Sequence, residues 1–212
     1  METSLRGIDR SARGERNAMP AVAGVLALWF VATLGLGLLG IFESGPARPP
    51  LAVLAAIIVP PVLFAVAYRT SPGVRAFALG IDLRVLTAIQ AWRVAGIIFL
   101  ALYAFGILPG LFAWPAGTGD VAIGVAAVVV LGAQLRQSPN ARHYVFWLNV
   151  AGLIDFAGAI ATGVLTSNSA LGLLYDGVPR ASLGALPLSL IPTFTVPFWI
   201  ICHLISFLQL RR

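Results

Sequence analysis

Lysine is missing from this chain; all 14 basic residues are arginine. That excludes any mechanism built on a lysine Schiff base, a retinal-binding opsin of the usual kind included. Cysteine is almost missing too. With Cys202 alone, no intrachain disulfide can form and no cysteine-based metal motif exists. Its neighbours Ile200, Ile201, Leu204 and Ile205 make it a small buried hydrophobe of an apolar helix. Charge is scarce, at 10% of residues, where a soluble domain carries about 25%. Histidine occurs only as His143 and His203. Helix rise places these two at depths that differ by about 10 Å, which speaks against bis-histidine haem. Asp155 with His203 supplies too few ligands for a metal site. No cofactor and no metal is implied.

Apolar residues fill the space left. They make up 59% of the chain, and the mean hydropathy is +0.93. A water-soluble fold of this composition would expose large apolar patches and aggregate. Apolar runs recur from about residue 20 to the C-terminus, so the chain holds one domain. The expected fold class is an all-α integral membrane protein. Residues 1–18 form a basic polar tail, and residues 19–212 a single transmembrane domain of six helices. The expected spans are 20–42, 51–68, 85–108, 120–135, 144–165 and 186–210. The first run is longer than a signal-peptide core and lacks a small-x-small cleavage pattern at its end, so it is retained as a helix. Pro60–Pro61 and Pro192 with Pro197 are expected to kink the second and sixth spans. The segment 76–89 reads either as an interfacial helix or as the start of the third span.

The net charge of +6 would suggest nucleic acid in a soluble protein. Here the arginines sit between apolar runs, and membrane topology accounts for them, so no nucleic-acid partner is implied. Arginines 6, 10, 13, 16, 69, 75, 84, 136, 142, 211 and 212 fall on one side of a six-span layout; 48 and 180 fall on the other. The positive-inside rule then puts both termini in the cytoplasm. The Gln90-x-x-Arg93 plus Pro115-x-Gly117-x-Gly119-Asp120 pattern is similar to small bacterial inner-membrane proteins. That likeness implies a bacterial cytoplasmic (inner) membrane and carries no activity.

Inside the spans, ionisable groups cost roughly 2.5–3.5 kcal/mol each. They are Arg93, Asp155 and His203, with the amides Gln90 and Asn149 beside them. Helix rise puts Gln90, Asn149 and His203 about 8–10 Å from the cytoplasmic ends of their spans, Arg93 about 12 Å and Asp155 about 17 Å. These depths overlap, and an arginine fork binds a carboxylate bidentately, so Arg93 and Asp155 are the expected pair. Asp155 lies in a row of small residues, Ala151, Ala159 and Gly163, which turns it toward other helices. Asp120, after Gly117-Thr118-Gly119, reads as an outer-side turn and helix cap.

Two functions follow. In one, Arg93, Asp155, His203, Asn149 and Gln90 form a ligand or proton site lining a cytoplasm-facing polar cavity of a small permease, channel-like or proton-coupled transport protein. In the other, they only fix helix packing in a structural or accessory subunit. The implied partners are the lipid bilayer, a small solute or proton, and, on the second reading, a further copy or a partner subunit. A membrane enzyme acting on lipid is a third reading; the chain shows no nucleophile or acid–base pair motif for it, so no catalytic residue is assigned.

Overall fold

The computed structural model describes residues 2–178 and 180–212. Met1, Pro179 and the side chains of residues 2–19 lie outside the described part, among them the four arginines of the tail. The described residues form helices joined by turns, with no strand beyond one isolated bridge between Gly45 and Arg48.

Helix α1 spans Glu2–Leu38. From Glu2 onward the polar tail is therefore continuous with the first apolar helix. Helix α2, Leu51–Thr70, carries Pro60 and Pro61 in its interior. Helix α3, Pro72–Gly80, starts on a Ser71 cap whose hydroxyl accepts from the Val74 N–H at 3.3 Å. Helix α4, Leu83–Gln90, starts on Asp82, which accepts from the Arg84 N–H at 2.8 Å. The segment 76–89 is thus divided: a short helix ends at Gly80 and the third span begins at Leu83. A 3-10 segment, Ala91–Gly96, links α4 to α5, Ile97–Ala104.

Helix α6 runs Gly110–Leu135 and α7 runs Ala141–Leu165. A π turn, Ile191–Thr195, leads into α8, Val196–Leu210. Pro192 and Pro197 carry no N–H, so a regular α ladder cannot run through this stretch. Six of these helical stretches are long and apolar enough to cross a membrane, and the protein is a membrane-integrated helical bundle. Its outward faces carry Leu28, Val31, Ile58, Leu63, Ile97, Val129 and Ile154, all exposed. Lipid accepts such a surface and water does not.

Four spans differ at their ends from those expected, the sixth beginning at Ile191 and not at 186. The first stops at Leu38, before a turn with Gly40 at φ +68°. The third closes at Ala104, before Gly106 at φ +70°. The fourth begins ten residues earlier than Asp120, and its 26 residues reach about 39 Å at 1.5 Å per residue. Proline and glycine there read as a turn, yet both are tolerated in membrane helices where neighbours satisfy the backbone.

Helix α6 is the hub. It packs along α4, the 3-10 segment and α5 on one side, and along α7 on the other; α8 closes the bundle against α2, α4 and α7. Helix α1 leans on the π turn, with Trp29 and Phe30 edge-on to Phe194 at 4.9 and 5.3 Å between ring centres. Three apolar clusters fill the interior. One, around Phe99, Leu108 and Phe112, sits toward the end where α5 meets α6. The others, around Ile123, Val130 and Leu148 and around Leu86, Cys202 and Ile205, sit toward the opposite end. A polar layer lies between them.

Candidate functional site

The layer is built on Arg93, which is fully buried. It sits in the 3-10 segment, where residues i and i+3 eclipse. Gln90, Arg93 and Gly96 therefore stack on one edge, and all three are buried. A 3-10 stretch inside a longer helix often marks a hinge or a functional position. Gly96 makes the approach to α6 possible, since a Cβ there would collide with the side chain of Asp120.

The guanidinium spends its donors on three helices. Nε donates to Asp120 Oδ1 on α6 at 2.8 Å, and Nη2 donates to Asp155 Oδ2 on α7. Nη1 points at the Gly152 carbonyl at 3.4 Å and at His203 Nε2 on α8 at 3.5 Å. One face of the cation lies over the Phe156 ring, 3.8 Å from its centre, inside the range of a cation–π contact. Phe156 also stacks on Trp199 at 6.1 Å and stands edge-on to His203 at 6.0 Å.

His203 is oriented by a relay. Asn149 Nδ2 donates to the Val145 carbonyl at 2.7 Å, so its Oδ1 is the acceptor left for His203 Nδ1 at 2.6 Å. The proton of a neutral ring then sits on Nδ1, and the bare Nε2 faces the Arg93 N–H. A second ring proton would set donor against donor. Gly152 lets this happen: a Cβ there would lie 2.6 Å from His203 Cε1 and Nε2 and 3.0 Å from Arg93 Nη1. Gly119 does the same for Asp155, whose Oδ1 occupies the space a Cβ would need.

One guanidinium faces two carboxylates, so with both ionised the cluster carries +1 − 2 = −1. Neither carboxylate is sealed: the Asp120 and Asp155 side chains keep 13% and 14% of their surface exposed, against 0% for Arg93. Asp120 lines a cavity of about 320 Å³ that opens at the end of the bundle bearing the 39–50 and 166–190 connections. Its walls come from α2, α5, α6, α7 and the π turn, including Ile57, Phe99, Phe112 and Ala159. At the rim Arg180 Nη1 donates to Asp176 Oδ1 at 2.7 Å. The guanidinium and the Val178 N–H together hold the Asp176 carboxyl below its ordinary range.

The structure brings Arg93, Asp155, His203 and Asn149 into one network. Gln90 is buried a turn below Arg93, and its amide makes no hydrogen bond to another group among the described residues. Two expectations need correction. Asp120 is not an outer cap: Pro109 holds the N-cap position of α6, and Asp120 lies ten residues into the helix, bonded to Arg93. The misreading came from taking Gly117-Thr118-Gly119 as a turn. The cavity also opens at the end opposite the one expected, away from the arginine-rich connections.

A helical signal for Asp120 was present. Ala113, Ala116, Gly117, Asp120, Gly124 and Ala127 recur at three- and four-residue steps and are all buried, the pattern of one packed helix face. Nothing local marks the Gly152 carbonyl or the Phe156 ring as partners of Arg93; only the reach of the Arg93 side chain from the 3-10 segment to α7, both packed on α6, does.

No curated protein and no solved structure matches the chain. A family model described as a domain of unknown function, DUF8737, matches residues 50–211. The match takes in α2 to α8 and every residue of the polar layer, leaving α1 outside it. The chain thus belongs to the DUF8737 family.

Proposed function

We propose that the protein is a small membrane transport protein, channel-like or proton-coupled, in which the Arg93–Asp120–Asp155–His203 layer is the proton or cation site. One observation carries the reading: a buried cluster with one carboxylate more than its single cation can neutralise stands at the inner end of a cavity. A surplus charge at mid-membrane is costly, so a proton or another cation belongs to the cluster's resting state. Asp155 is the titrating or cation-facing group and Arg93 the counter-ion of both carboxylates. Asn149 and His203 hold the guanidinium's remaining donors in place. The 3-10 segment and the π turn supply backbone that departs from the α ladder beside the site, as broken helices do in many transporters. The proline pairs kink the second and sixth spans around it.

Eleven arginines on one side against two on the other support a topology with both termini cytoplasmic, and the likeness of the sequence pattern to bacterial inner-membrane proteins supports that location. The cavity then opens away from the cytoplasm. The test uses liposomes carrying the full chain and an internal pH dye, with an imposed proton gradient. Wild-type vesicles should collapse the gradient faster than protein-free ones, and Asp155→Asn should lose at least 90% of the excess rate (a tenfold effect, about 1.4 kcal/mol) while staying folded. A wild-type rate equal to that of empty vesicles overturns the reading.

The scaffold reading is favoured by a different observation: Arg93 clamps three helices through one side chain. It requires that neutralising the whole layer leave any activity intact.

A further inference from the structure

The cavity's chemistry is uneven in a way that specifies an occupant. Among the described residues only two charged groups line it, Asp120 and Arg180. Arg180 is at the rim and already paired with Asp176, so it presents no free positive charge to an entering ligand. Asp120 is at the inner end, where its partner Arg93 is shared with Asp155. Between them the deeper wall is apolar, with Ile57, Phe99, Phe112 and Ala159 facing the space. Phe99 and Phe112 stand edge to face at 5.3 Å, and such rings attract cations as well as apolar groups.

Size narrows the choice further. An apolar cavity of about 150 Å³ holds one benzene ring; this one measures about 320 Å³. We propose that the cavity binds a small lipophilic cation, one or two ring-sized apolar groups bearing an ammonium, with the charged head at Asp120 and the apolar body against Phe99 and Phe112. Bound there, the ammonium brings the −1 cluster to zero, so an apolar anion of the same size is rejected and a neutral isostere gains only the wall contacts. Taken as a transported substrate, the cation rests on the reading above; taken as a ligand, it rests on the cavity alone.

The test is binding to the full chain in detergent, followed by calorimetry. The probes are benzyltrimethylammonium, its uncharged carbon isostere neopentylbenzene, and benzylphosphonate. Benzyltrimethylammonium should bind at least tenfold more tightly than neopentylbenzene, and benzylphosphonate should not bind. Asp120→Asn should remove that tenfold preference, leaving the two isosteres equal. Ala159→Phe, which fills the wall and leaves the charges untouched, should abolish binding of both, so a misfolded Asp120 variant does not decide the matter. Equal binding of cation and isostere to the wild type, or cation binding that survives Ala159→Phe, overturns the proposal. Selective cation binding in a protein whose liposomes pass no protons leaves the ligand site standing and removes the transport reading. Proton flux in a protein that shows no cation preference does the reverse.

Discussion

Removing the cation of the layer should be far more damaging than removing either anion. In Arg93→Met the side-chain bulk is largely kept, but Asp120 and Asp155 lose their shared partner, and the formal charge goes from −1 to −2. Breaking a buried pair by deleting one member costs about 3–5 kcal/mol. Both carboxylates keep about an eighth of their surface exposed, which lets them take up protons and puts the expected loss near the lower figure, about 3 kcal/mol. Asp155→Asn behaves differently: it leaves Arg93 with Asp120 as a balanced pair and retains a neutral acceptor, so the loss should stay within about 1 kcal/mol. The triple variant Arg93→Met with Asp120→Asn and Asp155→Asn carries no charge and should recover at least half of the Arg93→Met loss. Reversible unfolding in mixed micelles, followed by circular dichroism, gives all three differences. Arg93→Met within 1 kcal/mol of wild type, or a triple variant worse than Arg93→Met alone, would show that the charge count does not govern this layer.

A smaller change probes the steric side of the site. Gly152→Ala puts a methyl 2.6 Å from the His203 ring where ordinary contact begins near 3.4 Å, so the ring must retreat by 3.4 − 2.6 = 0.8 Å; overpacking of this kind costs about 1–3 kcal/mol, read by the same unfolding assay, and an unchanged midpoint would mean that α7 and α8 are not closely packed there. At the rim, Asp176 is depressed by hydrogen bonds from Arg180 and the Val178 N–H. A depressed carboxyl stabilises the fold above its unfolded pKa of about 3.9 and loses that contribution as pH falls through the folded value. The 166–190 connection should thus keep its order from pH 7 down to about 5 and loosen below pH 4, and Asp176→Asn should loosen it already at pH 7. Hydrogen exchange of that connection measures this; identical exchange in wild type and Asp176→Asn would refute it.

Much of the architecture was legible because membrane segments announce themselves by composition. Six apolar runs separated by arginine-bearing breaks need only the length of a helix and the cost of charge in lipid to be recognised. The buried Arg93, His203 and Asn149 and the half-buried Asp155 were legible on the same ground, since polar groups inside an apolar run stand out whatever the fold. Element ends were less so: Phe42, Leu108 and Leu186 are as apolar as the spans they adjoin, and only the turns at Gly40, Gly106 and before Ile191 end or begin the helices.

Asp120 marks the boundary between the two kinds of knowledge. By local chemistry a carboxylate after Gly-Thr-Gly is a cap, and the residues around it permit that reading. Its actual place, ten residues inside α6 and bonded to Arg93, depends on the helix beginning at Gly110 and on Gly96 admitting it to the 3-10 segment. Sequence by itself settled that this protein is a helical membrane bundle with charged groups buried in it, because a charge in lipid is costly wherever the helices go. Only tertiary packing decided which charges meet, that two carboxylates share one guanidinium, and that a cavity reaches Asp120 from the end with few arginines. Those are distances between helices, and no single helix encodes them.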